Sequence, residues 1–167
     1  MADIENDTFR EAVKERHGFA DWASRAKAAD VPPRVGFLLD RGAMTNLEFL
    51  RRDPLPGGGG FRGHRDYFQL DGGKDNVVAI ELLETPSTTA AHEALVDILS
   101  HCMAMKLIPA IERGVDAGHV GFVGHGKLVD SIYFVRGSTL VRIDSVGSKP
   151  VDVGPVAQTV DRQLMGR

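Results

Sequence analysis

The sharpest alternation of apolar and polar positions lies near the end of the chain. Ser131 to Arg136 and Thr139 to Asp144 flank Gly137-Ser138. A two-residue turn with glycine first predicts a type II′ hairpin in a fixed register. Phe134 then faces Val141, Ile132 faces Ile143, Tyr133 faces Arg142 and Arg136 faces Thr139. Phe134, Val141, Ile132 and Ile143 form one apolar face, with Tyr133, Arg142, Ser131 and Asp144 on the opposite one. The first face is core and the second meets solvent or a partner. The same period predicts strands at 61–70 and 76–84 around Asp71-Gly72-Gly73-Lys74-Asp75, with Val78, Ile80 and Leu82 pointing inward. Val120 to Val123 predicts a shorter strand.

Elsewhere the period lengthens to that of a helix. Ser87 to Thr89 offer an N-cap, after which Ala91, Leu95, Ile98, Cys102 and Met105 fall on one stripe as far as Pro109. Pro155 to Leu164 predicts a closing helix with Val156, Val160 and Leu164 on its buried side. Near the start, Asn6 or Asp7 can cap a helix carrying Phe9, Ala12 and Val13, which His17-Gly18 ends. A second short helix carries Phe19, Trp22, Ala23 and Ala26 until Pro32-Pro33. Val35 to Leu39 fits either a short strand or the start of a helix reaching Leu50. The run Gly57 to Gly60 reads as a flexible connection. It divides a helical N-terminal region, 1–58, packing on or beside the main domain, from an α+β domain, 59–167. The predicted fold class is α+β: an antiparallel or mixed sheet of hairpins, one long central helix, a C-terminal helix and a helical N-terminal arm.

Composition narrows the function classes. At 167 residues, 43% hydrophobic and 26% charged, the chain has enough apolar material for a real core. A formal charge of −3 gives no basic footprint, so nucleic acid is not an expected partner. The single cysteine, Cys102, closes no intramolecular disulfide and supplies no thiolate zinc cluster; on an apolar stripe it reads as a small hydrophobe. No apolar run approaches the roughly 18 residues of a membrane span. Acidic residues fill the first 20 positions where a signal peptide needs an apolar stretch. A cytoplasmic location follows from the chain as written, and an exported one if an upstream signal segment was removed.

Candidate chemistry is sparse. Gly57 to Gly60 lacks the Gly-Lys-Ser/Thr ending of a phosphate loop, and Gly118, Gly121, Gly124 and Gly126 are in the wrong order for a dinucleotide fingerprint. The six histidines contain no pair at metal-ligand spacing, so neither metal nor cofactor is expected. His92 and His101 fall on opposite sides of the long helix, while Asp97 and His101 can meet at four-residue spacing. His64, Asp66, His119 and His125 are the candidates for acid/base chemistry, provided their segments converge. Phe19 and Trp22 cannot be buried by a thin helical arm alone, and dock either on the domain or on another chain. With Tyr133 and Arg142 they are the candidate binding residues. The chain reads as a non-catalytic binding or interaction module for a small ligand or a protein, self-association into a homo-oligomer included. The alternative is a hydrolase using the histidines at 64, 119 and 125 with Asp66 or Asp130.

Overall fold

A computed structural model describes residues 2–167 apart from 30, 32–34, 71 and 105, with side chains from Asn6 onward. The predicted stops at Pro32-Pro33 and the stripe position at Met105 lie outside the described residues, as does Asp71 of the hairpin loop. Helices α1 (Ala2–Arg16) and α2 (Trp22–Ala29) precede strands β1 (Leu47–Pro54), β2 (Arg62–Leu70) and β3 (Val77–Glu84). Helix α3 (Thr88–His101) follows, then β4 (Ile108–Pro109), β5 (Val120–Val123), β6 (Ser131–Arg136), β7 (Thr139–Ser145) and α4 (Gly154–Leu164). The fold is α+β. Every described ladder is antiparallel, in one sheet ordered β1-β2-β3-β7-β6-β5-β4.

The β6–β7 hairpin pairs in the predicted register, from Arg136 with Thr139 to Ser131 with Asp144. Gly137 takes φ 60°, the left-handed region that the first turn position of type II′ requires. Inward residues of β2, β3, β6 and β7, namely Phe68, Val78, Ile80, Ile132, Phe134, Val141 and Ile143, pack against Val156, Ala157, Val160 and Leu164 of α4. The opposite face carries Val120, Phe122, Val135 and Leu140, which pack against α3 together with Val13 and Trp22. The sheet is therefore a middle layer, and the Tyr133 side of the hairpin is half covered rather than open, with α3 and Cys102 over it.

Three expected boundaries move. Residues 47–54, placed by sequence in the helical region, are a strand paired with β2. The glycine run is the turn that joins them: Gly58 and Phe61 exchange backbone hydrogen bonds of 3.1 and 3.0 Å, and Gly59 and Gly60 take φ 59° and 85°. Glycine is needed there for its backbone conformation rather than for slack. Helix α1 begins at Ala2, upstream of Asn6 and Asp7, and turns Phe9 outward because Val13 and His17 hold its inner face. Its end at Gly18, φ 71°, is as expected. Helix α3 starts on the predicted cap, Ser87 Oγ accepting from the Ala90 amide at 3.0 Å. It stops at His101, not Pro109, because the chain beyond Cys102 turns to place Ile108 and Pro109 beside β5. Val35 to Leu39 is neither strand nor helix. Among the described residues no helix is long and apolar enough to cross a membrane.

Candidate functional site

The candidate acid/base residues do not meet. His64 and Asp66 are alternate residues of β2, both on the α4 face, since they pair across to Leu82 and Ile80. Asp66 is 0% exposed, and its carboxylate is gripped by Arg52 through two hydrogen bonds of 2.6 Å. His64 Nε2 lies 3.8 Å from Asp66 Oδ2, too far for a hydrogen bond, and has no hydrogen-bond partner among the described residues. Burial lowers the His64 pKa against the opposing pull of Asp66. The imidazole lines a narrow pocket of about 140 Å³ beneath Gly36 to Leu38, with Glu84 and Thr139. His119 sits on the other face of the sheet, its Nε2 2.7 Å from His92 Nε2 on α3. His125 is exposed, bonded to the Lys106 carbonyl. Asp130 is exposed as well, in the loop before β6.

Sequence reasoning missed the contact of His92 with His119, and with it an imidazole and aromatic cluster under the N-terminal helices. Trp22 is 0% exposed; its Nε1 donates to the His17 carbonyl at 3.1 Å. Its ring lies 5.1 Å from Phe19, 5.6 Å from His92 and 5.8 Å from Phe122. His17 Nε2 accepts from the Leu107 amide at 3.3 Å while its Nδ1 bonds the Val13 carbonyl. Burial pushes all three pKa values down, that of His119 to about 3 with help from His92, Arg136 and Arg25. The pair is neutral at pH 7, one ring donating to the other. Of the two docking modes considered for Trp22 and Phe19, the chain uses its own core. His101 and Asp97 meet only through the Asp97 carbonyl, because the Asp97 carboxylate pairs with Arg10 of α1.

Tyr133 and Arg142 do share a surface. The sheet carries a cross-strand row of Asp53, Arg65, Glu81, Arg142 and Tyr133 that runs from its open part to the edge of α3. Arg65 pairs with Glu81, and Arg142 with Asp144. These charges answer one another, as on an ordinary solvated sheet face.

The α4 face holds a different feature. A cavity of about 530 Å³ opens between the first turns of α4, the end of the β1–β2 ladder and the loop before β3. Its apolar walls are Met44, Leu47, Leu70, Val151 and Val156. Each wall is pinned. Gln163 of α4 clasps Asp40 through both backbone groups, at 2.8 and 3.2 Å, which fixes the segment carrying Met44. Val151 donates to Ser145 Oγ and Val153 to the Val129 carbonyl, at 2.9 and 2.8 Å. Arg136 and Asp161 form two buried 2.7 Å hydrogen bonds that tie α4 to β6. Asn76, beside Leu70, also lines the cavity, while its Oδ1 has almost no accessible surface and, among the described residues, no hydrogen-bond partner. Gly73 leaves the room for that amide, since a Cβ there would stand 2.9 Å from its Nδ2.

The chain matches no family model, no curated protein and no solved structure among those compared. Among the described residues no group of three or more His, Cys, Asp or Glu side chains is placed to hold a metal ion. Nothing in the sequence marks Asn76 as special: it opens the predicted strand 76–84, and the cavity is assembled from three segments far apart in the chain.

Proposed function

We propose that the chain is a non-catalytic binding module, and that it holds a small, largely apolar molecule in the cavity between α4 and the β1–β2 end of the sheet. The observation that carries this reading is an apolar cavity whose walls are pinned by hydrogen bonds of the chain itself. A volume of about 530 Å³ lies within the usual range for small-molecule sites, which are mainly apolar with a few placed polar groups. Walls held by backbone and side-chain hydrogen bonds need little ordering when a ligand enters, so little affinity is lost to reorganisation. The hydrolase alternative required His64, His119 and His125 to approach one another; they lie on two faces and in a separate exposed loop, which leaves that reading without a constellation.

Indole, an aromatic body with one donor, is a suitable probe. Thermal unfolding with increasing indole should rise for the natural chain, by about 2.7 kcal/mol at a hundred times the dissociation constant. Val156→Phe, which places a ring in the cavity, should be folded and unresponsive. No shift in the natural chain, or an equal shift in the variant, would contradict the reading.

A further inference from the structure

We infer that the contact of His92 with His119 is an acid-sensitive latch, which holds the N-terminal helices on the α3 face and opens when both rings are protonated. The inference is independent of the cavity beside α4. The two Nε2 atoms stand 2.7 Å apart, so one proton lies between them. One added proton still leaves a donor facing an acceptor. A second makes both facing atoms donors, and the contact cannot persist. Phe19 and Trp22 close over the pair, with ring centroids 6.2 and 5.6 Å from that of His92. Water reaches the two imidazolium ions only when those rings move away.

The surrounding charges favour opening. Those that bear on His119, besides His92, are Arg136 of β6 and Arg25 of α2, both cationic. Lys27 of α2 lines the pocket beside His92. Glu93 of α3 pulls the other way on His92, but its carboxylate is already bridged to Arg10 and Lys14 of α1. His17 fastens the end of α1 by accepting from the Leu107 amide at Nε2, and the charges that bear on it are Arg16 and Lys106. A proton on that nitrogen removes the acceptor and cuts the tie. The bridges of Arg10 and Lys14 to Glu93 oppose release and set how acid it must be. Once solvated, each imidazole returns to an ordinary value of about 6.5, so release takes up protons and grows as pH falls below it. Release uncovers Phe122 and Leu107, which Trp22 and His17 now cover.

Trp22, the single tryptophan of the chain, reports the latch. Its emission and its quenching by acrylamide are followed from pH 7 to pH 4, with amide protection of β6 and β7 read by NMR. Trp22 should become exposed while β6 and β7 stay protected. Below about pH 6 the equilibrium constant for release should rise more than tenfold per pH unit, because more than one proton is taken up. His92→Gln combined with His119→Gln keeps a polar side chain at each position and removes the titration. It should lower the midpoint by about one pH unit or more and flatten the slope. His101→Gln and His125→Gln, at exposed rings, should change neither. If the double variant does not fold, the ring-proton signals of the natural chain decide, since His92 and His119 should titrate together with the exposure of Trp22. Titration of both rings with Trp22 still buried overturns the latch, as does a Trp22 buried throughout or exposed only when β6 and β7 unfold. An unchanged midpoint in a folded double variant overturns it as well.

Discussion

The two faces of this sheet are covered by helices yet handle polarity in opposite ways. On the α4 face, charges occur as closed pairs, Arg136 with Asp161 and Arg52 with Asp66, set into an otherwise apolar core. On the α3 face, the polar material of the core is imidazole: His17, His92 and His119 lie among Phe19, Trp22 and Phe122. Buried neutral imidazoles do not tolerate a proton. The α3 face holds three of them and the α4 face one, His64, so mild acid loads the α3 face more heavily. The cavity proposed as the ligand site lies on the α4 face.

The strongest way to break the comparison is to disturb the apolar centre of the α4 face. Phe134→Ala should cost about 3–5 kcal/mol, because the ring is fully buried and leaves a cavity. Tyr133→Ala, one residue along and half covered, should cost much less in the same denaturant melts. Equal losses would contradict the assignment of faces. Asp161→Ala should also cost about 3–5 kcal/mol, since it strands the Arg136 guanidinium in a buried site.

Acid sharpens the contrast. The folded-state pKa values of His17, His92 and His119 are depressed, so their contribution to stability is present above the unfolded value of about 6.5 and is lost as pH falls below it. For His119 the loss continues toward its folded pKa of about 3. Each pH unit in that window removes up to about 1.4 kcal/mol per imidazole. Glu93 pulls His92 the other way, while Arg25 and Arg136 deepen the depression of His119. Hydrogen exchange at pH 5 should show α1 and α3 losing protection before β6, β7 and α4. Uniform loss would mean that the imidazoles do not hold the N-terminal helices. The smallest effect belongs to the uncovered sheet surface: Arg65→Ala should change stability by no more than about 1 kcal/mol, as for a partly exposed ion pair.

The parts of this fold that were legible in the sequence are those fixed by local pattern. The Gly137-Ser138 turn sets the register of β6 and β7, Ser87 caps α3, and Val156, Val160 and Leu164 mark α4. Strand β1 was hidden because Glu48, Arg51, Arg52 and Asp53 crowd an edge strand, and because its register shifts between Phe49 and Arg51, which breaks the alternation. The end of α3 was overread because Cys102 continues the apolar spacing after the backbone has left the helix. Neither the meeting of His92 with His119 nor the gathering of Met44, Leu70, Asn76 and Val156 around one cavity has a local signal. Both arise from the stacking of helices on a sheet, which spacing along the chain does not encode.

The central claim, that the α4 side of the sheet contains the ligand site, is tested most directly by methyl-resolved NMR with indole, whose ring current displaces nearby methyl signals. The account predicts saturable shifts at Met44, Leu47, Leu70, Val151 and Val156, with Val96, Leu99, Val135 and Leu140 on the opposite face unmoved. Shifts confined to that opposite face, or no saturable shift at any of these methyl groups, would contradict it.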